Sequence, residues 1–417
     1  MKHVTPGTAS GTLNAPPSKS MAQRAIALAT LIPGENRIQL NTRALCDDIE
    51  SALGAALALG AGITRHPNEL VVHSGVNAPQ VEIPCGESGL CLRMFSAIAA
   101  LEDRPHRLVA RGSLLRRPVD MVVAPLRALG ATCHTEGGFP PLDIQGPLRG
   151  TEVAVDGTTS SQFLTGLLMA ATRAAQPLRI QSPGLKSRPY VQMTLDLLRS
   201  AGAQIEADER LENYVVAGNT AYAPLRYQVP GDWSGAAFLL VAGALSGPVS
   251  VCGLNVQSTQ ADRAILDALA QCGARVHIDG DCVTVRRGAL QAFDFDAAHC
   301  PDLFPPLVAL AANAAGTSRI AGVHRLATKE SDRAQTLQSE FGHMGIALSV
   351  QDDTLHITGG RPRAATVDAH GDHRIAMACA VAALPGEGPL SIRGDDAVHK
   401  SYPGFFSDLT ALGVHIS

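Results

Sequence analysis

Residues 197–205 read LLRSAGAQI, an apolar helical stretch closed by Gly202 and followed at once by a strand-like run. The same phrase recurs as LALGAGI at 57–63, LRALGATC at 126–133, LAQCGARV at 269–276, FGHMGIAL at 341–348 and LTALGVHI at 409–416. The closing glycines stand at 60, 130, 202, 273, 345 and 413, so the steps are 70, 72, 71, 72 and 68 residues. A glycine just past a helix takes the left-handed conformation at little cost and ends it. Six copies of one supersecondary unit account for the whole 417-residue chain.

A second phase of the repeat marks where other helices begin. PPSKSMAQRAIALAT starts at Ser18, GESGLCLRMFSAIAA at Ser88, TSSQFLTGLLMAA at Ser160 and GDWSGAAFLLVAG at Asp232. PDLFPPLVALAANA starts at Asp302 and GDHRIAMACAVAA at Asp372. Each places Ser or Asp where an N-cap belongs, ahead of a run apolar on every side. Helices of that kind are buried all round. Each unit thus predicts a surface helix ending at its glycine, a few strands and one buried helix. Buried helices in the same phase bring their N-termini to one face, where free N–H groups favour an anion.

Composition removes several alternatives. The chain is 46% apolar and 17% charged, enough for large cores and not for disorder. A single core rarely grows beyond about 300 residues, so two or three domains are expected. Thirty-four basic against 38 acidic residues, with no basic run, argues against nucleic acid as a partner. The apolar run near 236–245 is too short for a membrane span, and MKHVTPGTASG does not read as a signal peptide. None of the nine cysteines forms a CxxC pair, so reduced, mostly buried thiols in the cytoplasm are expected. No metal-ligand spacing is present.

The charged residues gather at the repeat junctions. Lys19, Ser20 and Arg24 open the first buried helix; Arg93 lies in the second, and Arg117 precedes a proline beyond it. Ser160, Ser161 and Gln162 open the third, with Ser187 and Tyr190 in the following KSRPY. Asp302 opens the fifth and KESDR follows at 329–333; the sixth carries His373 and Arg374, then Lys400 in HKSYPGFF. Arginine grips carboxylate or phosphate bidentately and lysine acts as a point charge, so a multiply anionic ligand set is implied. Asp302 and Glu330 stand among these cations as candidates for proton transfer.

At PSKSMAQRA, TSSQFLT, KSRPY, KESDR, GDHRIAM and HKSYPGFF the chain resembles the 5-enolpyruvylshikimate-3-phosphate synthase family, in order and from about Leu13 to Phe406. The resemblance implies a two-domain inside-out α/β barrel, each domain built from three repeats. It assigns residues 14–229 to one domain and 1–13 with 230–417 to the other, with the active site in the cleft between them. It also implies the activity: transfer of the enolpyruvyl group of phosphoenolpyruvate to the 5-hydroxyl of shikimate 3-phosphate, releasing phosphate, on the shikimate pathway to aromatic amino acids. No metal or organic cofactor is implied. The substrates are the expected partners, with no nucleic acid and no membrane, and the enzyme is expected to be a cytoplasmic monomer.

Carried over residue by residue, shikimate 3-phosphate would be held by Lys19, Ser20, Arg24, Ser160, Ser161, Gln162, Ser187, Tyr190, Asp302 and Lys329. Arg325 stands where many members carry a polar contact to that substrate. Phosphoenolpyruvate would be held by Lys19, Gly89, Arg117, Gln162, Arg333, Arg374 and Lys400. Glu330 and Asp302 would exchange protons, assisted by Lys19. His373 is either a catalytic neighbour of Arg374 or a structural residue. In the loop entering the second buried helix, Glu87 and Leu90 replace the Asn and Thr of well-known members. Glu87 adds charge and Leu90 bulk beside the phosphoenolpyruvate site, which predicts weaker glyphosate binding; alternatively Glu87 caps the helix or pairs with an Arg.

Two rivals are weaker. The sister class acting on UDP-N-acetylglucosamine resembles Lys-Asn at the first junction and has a reactive Cys before Arg-Pro. Here the junction is Lys19-Ser20, and 112–118 (GSLLRRP) has no cysteine. An inactive repeat scaffold would be favoured by loss of Lys19, Asp302, Glu330 or Lys400, and all are present.

Overall fold

A computed structural model describes every residue except Arg43. Helices alternate between buried and surface types. They are α1 (Lys19–Leu31), α2 (Asp47–Ala58), α3 (Gly89–Ala99), α4 (Val123–Ala128), α5 (Ser161–Ala171) and α6 (Arg188–Ser200), then α7 (Trp233–Ser246), α8 (Ile265–Gln271), α9 (Phe304–Ala311), α10 (Arg333–His343), α11 (His373–Ala382) and α12 (Phe405–Ala411). All six repeat glycines take positive φ, between 79° and 102°, directly after the even-numbered helices.

The odd-numbered helices begin where their caps predict. Ser88, Ser160, Asp232 and Asp372 are the N-caps of α3, α5, α7 and α11, and each side chain accepts a backbone N–H of the first turn. The fifth start differs from expectation. Asp302 lies inside a 3-10 turn, Pro301–Leu303, and α9 begins at Phe304 with Pro305 in its first turn. The prolines fit there because they lack an N–H that would otherwise need a partner. Asp302 is thereby not used as a cap.

Each repeat encloses a small mixed sheet. In the second, Glu82–Pro84 and Pro105–Val109 pair parallel, with α3 as their crossover; Phe139–Gln145 and Thr132–Glu136 complete it antiparallel. A parallel pair requires such a crossover, and a hairpin needs only a turn. Five sheets among the described residues have four strands and one has three.

The chain divides into two compact units, Met1–Ser18 with Pro230–Ser417, and Lys19–Val229. In the first, Gly11–Asn14 pairs parallel with Val249–Cys252, and Lys2–Val4 pairs antiparallel with Leu390–Arg393. In the second, Arg226–Gln228 closes the first repeat by pairing parallel with Glu35–Gln39. Each unit has its own apolar core. Helix α7 has hardly a polar face, and its Trp233 is fully buried with Nε1 donating to Asn255 O at 3.0 Å. Gly166 lets α5 lie against α3, since a Cβ there would meet Met94 O at 2.2 Å.

The cysteines depart from expectation. Cys252 and Cys282 form a disulfide across adjacent antiparallel strands, while the other seven are free and buried. They stand 30 positions apart in the sequence, and a strand register sets them side by side. Among the described residues no helix is long and apolar enough to cross a membrane.

Candidate functional site

In the Lys19–Val229 unit, residues near the N-terminal ends of α1, α3 and α5 meet. Ser88 Oγ donates to Gln23 Oε1 at 2.9 Å, and Arg93 Nη1 donates to Gln162 Oε1 at 2.7 Å. Arg93 Nη2 reaches Pro118 O at 2.7 Å, tying the Arg117–Pro118 segment to the same place. Gly89 has no room for a side chain: a Cβ would lie 2.7 Å from Arg93 Nη1 and 3.0 Å from Arg117 Nη1.

Arg24 is 2% exposed, and all its hydrogen bonds go to uncharged acceptors. These are Thr194 Oγ1 at 3.0 Å, Ser20 O at 2.9 Å, Tyr190 O at 3.1 Å and Thr165 Oγ1 at 3.4 Å. Burial pulls its pKa down to about 10, which leaves it cationic at neutral pH. A buried cation without a carboxylate is expensive unless a ligand completes it. Ser161, the first residue of α5, and Ser187, the left-handed N-cap of α6, are both buried. Lys19 is not left to solvent: its Nζ lies 2.8 Å from Asp48 Oδ2, on α2.

Glu87 does not cap α3, a task taken by Ser88. Its Oε2 accepts the N–H of Ser113 at 3.0 Å and the hydroxyl at 2.9 Å. Leu90 is buried in the core of the unit.

The other unit holds a denser cluster. Asp302 Oδ1 lies 3.2 Å from Lys329 Nζ and 2.8 Å from Arg333 Nη1, and Oδ2 lies 3.2 Å from Arg374 Nη2. Arg333 also meets Glu330 at 2.7 Å and, through Nε, Asp372 at 2.7 Å. Burial alone would lower the Arg333 pKa, but Asp372, Glu330 and Asp302 together raise it. Burial of Arg374 is likewise outweighed, chiefly by Asp302. The guanidinium charges are therefore permanent.

His373 opens α11, buried, with Nδ1 3.8 Å from Asp372 Oδ1. Lys400 ends a 3-10 turn, Asp395–Lys400, and is also buried. Arg325 ends another, Val323–Arg325, and donates to Ala298 O at 3.4 Å.

Three carboxylates that motif and spacing do not reveal belong to these networks. Asp372 was legible only as a helix cap and Asp48 only as part of an acidic first turn. Asp262 had no signal at all. It is buried, bonded through Oδ2 to Ser234 Oγ, with Oδ1 lacking a partner. Burial, reinforced by Asp302, pushes its pKa up to about 7. Among the described residues no group of three or more His, Cys, Asp or Glu is arranged to hold a metal ion.

The profile of the family EPSP synthase (3-phosphoshikimate 1-carboxyvinyltransferase) matches residues 4–409. The 3-phosphoshikimate 1-carboxyvinyltransferase of Thermococcus kodakarensis is 39% identical over 403 residues, 96% of this chain and 97% of the relative. That of Methanocorpusculum labreanum is 37% identical over 410 residues, covering 97% and 96%. Among solved structures, EPSP synthase from Acinetobacter baumannii superposes with a TM-score of 0.83 at 25% identity, covering 100% of this chain and 99% of that one. The enolpyruvyl transferase NikO from Streptomyces tendae shares the fold, with a TM-score of 0.77 at 22% identity, covering 100% and 98%.

Proposed function

This chain belongs to the EPSP synthase (3-phosphoshikimate 1-carboxyvinyltransferase) family, and we propose that its two clusters divide the work of that reaction. The enzyme moves the enolpyruvyl group of phosphoenolpyruvate onto the 5-hydroxyl of shikimate 3-phosphate and releases phosphate, in the shikimate pathway. The two substrates bring roughly five to six negative charges. Helix N-termini and a set of Lys and Arg offset their mutual repulsion and hold the reacting atoms in line.

In this reading Arg24, Ser20, Ser160, Ser161, Gln162, Ser187 and Tyr190 hold shikimate 3-phosphate, with Asp302, Lys329 and Arg325 completing the set. Lys19, Gly89, Arg117, Gln162, Arg333, Arg374 and Lys400 hold phosphoenolpyruvate, and Lys19 touches both substrates. Asp302 takes the proton of the 5-hydroxyl as its oxygen attacks carbon 2 of phosphoenolpyruvate. Glu330 delivers a proton to the methylene carbon, giving a tetrahedral intermediate. Return of a methyl proton to Glu330 forms the enol ether as phosphate leaves, and the proton held by Asp302 passes to that phosphate, restoring both carboxyl groups. His373 helps hold the turn that carries Arg374.

The observation that carries the reading is Arg24. Among the described residues its buried guanidinium has no carboxylate partner, and a ligand phosphate would supply the missing charge. The deciding assay is phosphate release from phosphoenolpyruvate with and without shikimate 3-phosphate. Release only with UDP-N-acetylglucosamine, or none with either acceptor, overturns it. A Glu330→Gln enzyme with undiminished turnover removes that residue from proton transfer. The reading includes a monomer acting in the cytoplasm, and light scattering of the purified chain tests the first of these.

A further inference from the structure

Lys19 is the first residue of α1. A cation there faces the positive end of the helix dipole, which favours anions and repels an ammonium. Its stem is also flexible, with four carbons and three rotatable donors. Something must hold the Nζ in place before substrate arrives. Asp48 is the second residue of α2, where the dipole stabilises a carboxylate, and its Oδ2 lies 2.8 Å from Lys19 Nζ. Both side chains are largely shielded, with 7% of Asp48 and 15% of Lys19 exposed. At such burial an ion pair is screened far less by solvent than a surface pair.

Two buried thiols feel the charge of Asp48. Cys46, the N-cap of α2, has its thiol pushed up to about 12 by burial and by the charge of Asp48. Cys91 on α3 is pushed well above its ordinary value, by burial first and by Cys85 next, with Asp48 adding to it. Both thiols therefore stay protonated and bring no competing charge.

We propose that Asp48 is a positioning residue for the reaction, holding the Lys19 ammonium aimed at the site and balancing its charge until phosphoenolpyruvate binds. The inference rests on the assignment of Lys19 to the phosphoenolpyruvate site. Asp48 touches no substrate in this account. It acts by keeping one rotamer of Lys19 occupied, so that the ordering cost of that side chain is met before binding.

The test compares steady-state kinetics and melting of Asp48→Asn, Asp48→Glu, Lys19→Met and the Asp48→Asn/Lys19→Met double variant, all in the full chain. Asp48→Asn keeps the shape and removes the charge. It is expected to lower kcat/KM for phosphoenolpyruvate on the order of ten- to a hundredfold. Asp48→Glu, which restores the charge, should recover most of the loss at an unchanged melting temperature. The double variant should be no worse than Lys19→Met alone, because a residue that acts through Lys19 has nothing left to position. Full additivity of the two single losses overturns the proposal. So does an Asp48→Asn enzyme with parental kcat/KM, or one whose loss Asp48→Glu does not repair. If Lys19→Met itself retains parental kcat/KM, the assignment of Lys19 falls and this inference falls with it. An impaired Lys19→Met beside a normal Asp48→Asn removes the inference alone.

Discussion

Arg333 Nε lies 2.7 Å from Asp372 Oδ2, and neither side chain is more than 1% exposed. The cap of one helix is thus the counter-ion of an arginine that opens another, since Asp372 caps α11 and Arg333 begins α10. Ser331 Oγ also donates to Asp372, at 3.2 Å. Two of the three guanidiniums assigned to phosphoenolpyruvate, Arg333 and Arg374, depend on this carboxylate for their placement, because Arg374 N also donates to its Oδ1 at 3.0 Å.

Asp372→Ala should therefore fail in two respects. Leaving Arg333 buried without its main partner costs about 3–5 kcal/mol of stability, which urea unfolding would read. The KM for phosphoenolpyruvate should rise as well, and a variant with parental stability and KM would show that the pair carries neither load.

Arg24 predicts the opposite sign for stability. Arg24→Met removes a buried cation that has only uncharged acceptors, so the free enzyme should melt no lower than its parent. A ligand at a hundred times its Kd stabilises by about 2.7 kcal/mol. Shikimate 3-phosphate should raise the melting temperature of the parent and leave that of the variant unmoved. A variant that melts far lower and still responds to the substrate would make Arg24 a structural residue.

Gly89→Ala places a methyl group 2.7 Å from Arg93 Nη1 and 3.0 Å from Arg117 Nη1, so the guanidiniums must shift. The KM for phosphoenolpyruvate should rise about tenfold or more, with the KM for shikimate 3-phosphate nearly unchanged. Equal changes in both constants would place the strain elsewhere.

Asp262 sets a pH dependence of stability. Its folded pKa, pushed up to about 7, exceeds the unfolded value of about 3.9. Between those values the folded state binds a proton that the unfolded state has lost, so stability falls as pH rises through that window. The charged groups around it are Asp302, Arg374 and Asp232. Asp262→Asn has no such loss. Its advantage over the parent should grow from pH 4 to pH 7 and then level off, reaching a few kcal/mol on the order expected from linkage. A constant difference across that range would contradict the assignment.

Glu87 and Leu90 bear on inhibition. Glu87 is bonded to Ser113, in the turn that leads to Arg117, so its carboxylate is fixed close to that arginine's segment. Glyphosate should inhibit this chain more weakly than a sensitive relative at equal phosphoenolpyruvate, and superimposable inhibition curves would end that expectation.

Features that depend on neighbours along the chain are legible before any fold is known. Repeat glycines, Ser and Asp caps and apolar runs each act within a few residues, so six units, their helix order and the family motifs could be read directly. Even Asp302 at a junction was visible, although its release from capping was not, because that depends on how Pro301 and Pro305 shape one turn. Only the tertiary structure decided which residues meet across tens of positions. The Lys19–Asp48 and Arg333–Asp372 pairs, the disulfide from Cys252 to Cys282 and the uncharged acceptors gathered around Arg24 are of that kind. Charge pairing and strand register join residues by distance in space, and local propensity carries no information about that distance.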